Sequence, residues 1–236
     1  MTGDGSHAMN PRPQLPPRVA VALAAAEIPP SKLGPARRAR LSGPERDFYS
    51  WILRRFAAGG RPSQTELREA AGEFGAELEN ALGTLAREDL VHCGRDGEIA
   101  VAYPFSSVPT VHRVRFRNGN EAFAMCAIDA LGIAPMFNEP VEISSQDPLT
   151  GADFHARIAP AGDASWEPQS AVVVAGVSDR CEQSFRGCCP VLNFFVSAEN
   201  AERWLAAHPD VRGHVATIEE AITAGRAVFG DVLKPL

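Results

Sequence analysis

Phe48, Trp51, Ile52 and Phe56 recur at helical spacing among charged neighbours, which predicts an amphipathic helix over residues 45–57. Beyond it, Ser63-Gln64-Thr65-Glu66 has the spacing of a capping box and opens a second helix, which the pattern ends at Gly72. Leu78, Leu82 and Leu85 mark a third. Leu90–Cys93 and Glu98–Tyr103 read as two strands around Asp96-Gly97, a dipeptide that suits a tight hairpin turn. Three helices and then a hairpin is the order of a winged helix. Upstream, residues 1–43 are rich in proline; apart from a short helix over Ala20–Glu27 they read as a tail, with Arg37-Arg38-Ala39-Arg40 as a solvated linker.

The second half alternates strands and helices. Ala122–Leu131 reads as a helix stopped by Gly132. Val141–Ser145 and Phe154–Ile158 read as strands, joined by the turn-rich link Gln146-Asp147-Pro148-Leu149-Thr150-Gly151. Ala171–Val177 and Val191–Val196 are compact apolar runs suited to buried strands. Ser197 precedes a helix through Trp204 and Leu205, and Thr217-Ile218-Glu219-Glu220 opens a last helix toward Phe229. Neither an internal repeat nor a glycine-rich phosphate loop is present in the sequence.

Composition narrows the function classes. The 236 residues are 45% hydrophobic and 22% charged, enough to bury a core, and the net charge of −6 points to neither nucleic acid nor an anionic membrane surface. Charge also weighs against DNA binding by the winged-helix-like segment. Residues 44–103 hold 7 Lys or Arg against 11 Asp or Glu, a balance of −4, and the third helix presents Glu77, Glu79, Glu88 and Asp89 against Arg87 alone. That segment is expected to be a scaffold or lid. No apolar run approaches the ~20 residues of a membrane helix, and the opening residues lack an apolar signal core, so a cytoplasmic protein without a membrane partner is expected. Five cysteines, Cys93, Cys126, Cys181, Cys188 and Cys189, are an odd count with no C-x-x-C pair, which favours free or metal-binding thiols over a disulfide framework or structural zinc.

Two segments could carry chemistry. Cys126 and Asp129 lie three apart in an apolar stretch, so on a helix they share a face, and desolvation there would raise the carboxylate's pKa toward a proton-transfer role. Gly187-Cys188-Cys189-Pro190 places two thiols at the mouth of the apolar run that follows. The simpler reading of either segment is a buried structural thiol. Cys93, in the hairpin, reads as structural, Cys181 as a loop residue without a role, and Trp166 as core.

Together these segments resemble the organomercurial (alkylmercury) lyases. The resemblance lies in Pro109-Thr110-Val111-His112-Arg113-Val114, Met125-Cys126-Ala127-Ile128-Asp129-Ala130-Leu131-Gly132, Ser145-Gln146-Asp147-Pro148-Leu149-Thr150-Gly151 and Cys189-Pro190-Val191-Leu192-Asn193-Phe194-Phe195. It extends through Ala201-Glu202-Arg203-Trp204 to Phe229-Gly230 and spans residues 44–233. It implies an α+β fold: a tail over 1–43, a winged-helix-like domain over 44–105 and a mixed α/β catalytic domain over 106–236. It further implies protonolysis of a carbon–mercury bond, giving a hydrocarbon and Hg(II), with Cys126 and a second cysteine as mercury ligands and Asp129 as proton carrier. Distance to Phe194-Phe195 selects Cys189 as that second cysteine. Arg186-Gly187 lengthen the approach to it relative to the family pattern, which keeps Cys188 as a further candidate ligand. No cofactor is implied; external thiols would release the product, and a mercuric reductase or small thiols would accept it. Soft metals prefer thiolates, which agrees with two cysteines holding Hg(II). The alternative is a paralogue using the same Cys/Asp/Cys set on another organometal or organic substrate.

Overall fold

The structure, a computed structural model, describes residues 34–178 and 189–234. It begins with α1 (Gly34–Arg38), followed by α2 (Gly43–Ala57), α3 (Gln64–Glu73) and α4 (Leu78–Arg87). Local sequence explains the last three. Ser42 and Ser63 cap α2 and α3 in reciprocal capping boxes with Glu45 and Glu66, satisfying backbone N–H groups that have no partner within the helix. Phe48, Ile52 and Phe56 of α2, Leu67 of α3, and Leu78 and Leu85 of α4 are buried against one another's faces. α3 passes through Gly72 and ends beyond it, at Phe74 and the left-handed Gly75.

The hairpin follows as β1 (Val91–Cys93) and β2 (Ile99–Ala102), paired antiparallel across a turn that holds Gly97 at φ 78°. The basic cluster before α2 is no solvated linker. Arg37 is buried and donates to the Asp89 carbonyl, while Arg38 donates to the Asp231 carbonyl near the far end of the chain. The guanidinium stems thus tie α1 to distant segments. The expected helix over Ala20–Glu27 lies outside the described residues.

β2 leads through β3 (Phe105–Ser106) into an eight-stranded antiparallel sheet in the order β1-β2-β3-β5-β4-β6-β7-β8. Its other members are β4 (Arg113–Phe116), β5 (Glu121–Ala124), β6 (Val141–Gln146), β7 (Asp153–Ile158) and β8 (Ala164–Glu167). β6 and β7 alternate buried and exposed positions, so one face of the sheet meets the core and the other meets water. A smaller sheet, β10-β9-β11, is built from β9 (Val172–Ser178), β10 (Phe194–Phe195) and β11 (Val211–Thr217). The fold is therefore a mixed α+β arrangement.

At its centre lies α5 (Ala127–Phe137), apolar but for Asp129 and buried from Ala127 to Met136. Three sequence expectations change here. The stretch from Glu121 to Ala124 is strand, because it pairs with β3 and β4; the helix starts only after Cys126. Gly132 does not stop the helix, which runs on to a left-handed Asn138. Instead Gly132 lets α5 touch α7 (Ile218–Phe229): a Cβ there would sit 2.4 Å from the Phe229 ring and 2.9 Å from the Gly225 carbonyl. Gly225 is equally tight, 2.8 Å from the Ile128 carbonyl. Lastly, Val191–Val196 is not one strand. Cys189–Val191 forms a 3-10 turn and only Phe194–Phe195 pairs, so Cys189 is not extended despite preceding proline. α6 (Ala198–Ala207) follows, capped by Ser197 as anticipated.

Candidate active site

Cys126 is the N-cap of α5, with extended backbone (φ −157°, ψ 178°) and a sulfur that accepts from the Asp129 N–H at 3.4 Å. Serine, threonine or aspartate would be the usual residue at such a position. A cysteine there sets its sulfur against the positive end of the helix dipole. Asp129, one turn on, projects to the same place, which realises the shared face that the sequence spacing predicted.

Cys189 arrives from the other side of the core. Leu192 accepts from the Ala127 N–H at 2.9 Å, and the Asn193 carbonyl accepts from Val174 of β9 at 3.0 Å. The Asn193 side chain folds back onto the Pro190 carbonyl at 2.8 Å. These bonds seat the 3-10 turn against the start of α5. The Cys189 thiol then donates to Asp129 Oδ2 at 3.8 Å. One ligand atom each from Cys126, Asp129 and Cys189 lie within 4.8 Å of one another, and all three residues are buried, at 1%, 6% and 5% exposure.

Burial governs the protonation of this set. Desolvation pushes Asp129 up to about 7, against the pull of hydrogen bonds from Cys126 and Cys189 and of the Arg37 charge. The Cys126 thiol is also held well above its ordinary value, chiefly by desolvation and then by the neighbouring Cys189 and Asp129. Near neutral pH the site is thus rich in protons. A thiophilic metal that displaces them leaves a carboxylic acid beside the newly formed metal–sulfur bonds.

Two residues at the site went unread in the sequence. The Tyr103 hydroxyl lies 3.5 Å from Cys189 Sγ, and its backbone carbonyl accepts from the buried Tyr49 hydroxyl at 2.7 Å. Desolvation, followed by the charges of Cys189 and Asp129, drives the Tyr103 phenol strongly upward. Arg37, placed in the tail by sequence, contributes its charge to Asp129. Neither carries a local motif: both reach the site through long-range packing.

The remaining motif residues act as supports. His112 is buried, shares a hydrogen bond with Ser145 at 2.9 Å, stands edge-on to Phe194, and is pushed down to about 4 by desolvation. Asp147 gathers four donors: the Leu149 and Thr150 N–H groups of its own turn, the Val196 N–H and the Asn200 side chain. It thereby clips the β6–β7 turn to the segment following Cys189. Cys93 is exposed in the hairpin. Trp166, on β8, is partly buried: it packs against the core and also lines a surface groove with His155, Arg157 and Glu142. Cys181 and Cys188 lie outside the described residues.

Two buried thiols flanking a carboxylic acid that titrates near neutrality form the set of a thiol enzyme able to capture a soft metal and hand over a proton. Comparison with known proteins gives this class its family. Residues 105–230 match the family model for alkylmercury lyase, and the chain belongs to that family of enzymes. It is 29% identical over 175 residues to an alkylmercury lyase of Staphylococcus epidermidis, covering 74% of this chain and 78% of the relative. An alkylmercury lyase of Bacillus cereus is 27% identical over 175 residues, with 74% and 77% coverage. In fold, the chain resembles the mercury-bound form of MerB2, with a TM-score of 0.67 at 21% identity over 92% of this chain and 97% of that one. Among the described residues, no helix is long and apolar enough to cross a membrane.

Proposed function

We propose that this enzyme cleaves carbon–mercury bonds by protonolysis, with Cys126 and Cys189 as the mercury ligands and Asp129 as the proton carrier. The observation that carries the reading is the convergence of those three side chains within 4.8 Å, from two segments 60 residues apart in sequence. The mercury of an organomercurial substrate replaces the proton of the Cys126 thiol, and that proton leaves with the group the mercury had carried. The Cys189 thiol then adds, its proton passing to the Asp129 carboxylate it faces, and the two sulfurs load electron density onto the mercury-bound carbon. Asp129 then releases its proton to that carbon as the carbon–mercury bond breaks, the bond's electron pair taking the proton. The products are a hydrocarbon and Hg(II) held by two thiolates. A carboxyl group near 7 suits this work, because it is both loaded and able to let go near neutral pH.

No cofactor enters the scheme. Thiols supplied from outside, either small molecules or a mercuric reductase, would take the Hg(II) by exchange, in a cytoplasmic setting. The three helices and hairpin of residues 44–105 act in this reading as a winged-helix-like scaffold without a nucleic-acid partner, supported by their −4 charge balance. Residues 106–236 form the catalytic part. Headspace gas chromatography of purified protein given methylmercury and excess thiol tests the proposal. Methane released in step with substrate loss is the expected result, whereas methylmercury bound but left intact would refute it.

A further inference from the structure

Among the described residues, each sulfur of the site has a hydrogen-bond donor beside it, but the two donors are of different kinds. Cys126 receives the backbone N–H of Asp129, a donor fixed by the helix. Cys189 meets the Tyr103 hydroxyl at 3.5 Å, and the direction of that bond follows from the sulfur's other contact. The single Cys189 proton faces Asp129 Oδ2, so the phenol is the group left to donate.

Tyr103 is itself held from several sides. Its N–H donates to the Leu90 carbonyl at 2.9 Å, its carbonyl accepts from Tyr49 at 2.7 Å, and the His92 ring stands edge-on at 6.4 Å. Cys189, by contrast, sits on a three-residue 3-10 turn and chooses its side-chain rotamer by what its sulfur meets. We propose that Tyr103 is a positioning residue for the lyase reaction: its hydroxyl donates to the Cys189 sulfur and keeps that sulfur turned toward Cys126 and Asp129. The role continues once mercury is bound, since a sulfur that has given up its proton to Asp129 still accepts from the phenol. Cys126 then captures substrate first, and Tyr103 governs how readily Cys189 completes the pair.

The inference rests on the lyase reading above, but half of its test does not require turnover. Tyr103→Phe keeps the ring and its packing and removes only the donor. In the mercuric chloride complex, a hydrogen bond to a metal-bound sulfur stabilises its lone pairs, so removing it should move the sulfur-to-mercury ultraviolet band to longer wavelength. In turnover of phenylmercury, kcat should fall roughly 10–100-fold, the scale of losing a partner of a metal ligand, with KM little changed because Cys126 still captures substrate. Both changes together are the expected result. A band that stays put, or a native kcat, overturns the proposal. A wild-type protein that releases no hydrocarbon sinks the lyase reading instead, while the band shift still reports on Tyr103. Should Tyr103→Phe fail to fold by circular dichroism, Tyr49→Phe loosens the same ring with its hydroxyl in place. The same two shifts at smaller size are then expected, and their absence overturns the proposal.

Discussion

Cys126 and Asp129 are placed by a single helix start: one residue caps it, the other lies in its first turn, and a bond between them closes the unit at 3.4 Å. Cys189 is placed by hydrogen bonds that reach Ala127 and Val174, with the Asp147 clip holding the chain just after it. One side of the site is thus written into a few neighbouring residues, and the other is assembled by the tertiary fold. Damage should therefore travel differently. Substitutions far from the site should spare the first thiol and misplace the second, and capture of a mercurial should survive where its cleavage does not.

The harshest test removes the sulfurs one at a time. Cys126→Ser and Cys189→Ser should each drop hydrocarbon release from phenylmercury to background, since serine matches the shape but not the affinity for a soft metal. Cys126→Ser should also melt no lower than the native protein, because serine is a favoured N-cap. Cys188→Ser should keep most activity; if it and Cys189→Ser exchange outcomes, the second ligand is Cys188. Next in size is Asp129→Asn, which should still take up one mercurial per protein while releasing hydrocarbon roughly 10²–10⁴-fold more slowly, read in single-turnover assays. Native speed from that variant would assign proton delivery to another group.

Asp129 also predicts a pH dependence of stability. Its folded value of about 7 lies above its ordinary 3.8, so its contribution is fully present below about pH 4 and is lost as pH rises to about 7. The native protein should lose up to about 4 kcal/mol relative to Asp129→Asn over that window and then level off. Urea titrations at steps between pH 4 and 8 measure the difference, and a constant offset would mean that Asp129 ionises as it does in water. The smallest effect, and the sharpest for the comparison, is Asp147→Ala. Losing the acceptor for four donors should cost about 1–3 kcal/mol and slow cleavage more than capture, because the clip lies downstream of Cys189 alone. Equal losses in capture and cleavage would erase the distinction between the two sides.

The same division explains what could be read from sequence. The first three long helices and the hairpin were legible because capping boxes, helical spacing and an Asp-Gly turn are local signals. Cys126 and Asp129 were legible as a pair for the same reason, although Cys126 proved to be the cap rather than a residue inside the helix. Glu121–Ala124 was not read as a strand, although β4 lies just before it across a tight turn at Asn118-Gly119, a local signal of the same kind that was passed over. Gly132 looked like a stop because a glycine after an apolar run so often is one; its actual reason, a second helix against its backbone, belongs to a residue 93 positions later. Arg37 and Tyr103 reach the site with no pattern to announce them, and Cys189 was singled out by family resemblance rather than by its own surroundings.

The backbone contact between Gly132 and Gly225 bears on the order in which the molecule is made. The helix that carries Cys126 and Asp129 gains the surface it rests on only after synthesis has passed Phe229. Until then the helix has only the strands of the larger sheet to lie against, and its other side is uncovered. The reactive pair is therefore complete only once this second helix has been made, so a chain cut before it would expose single thiols rather than a working dithiol trap.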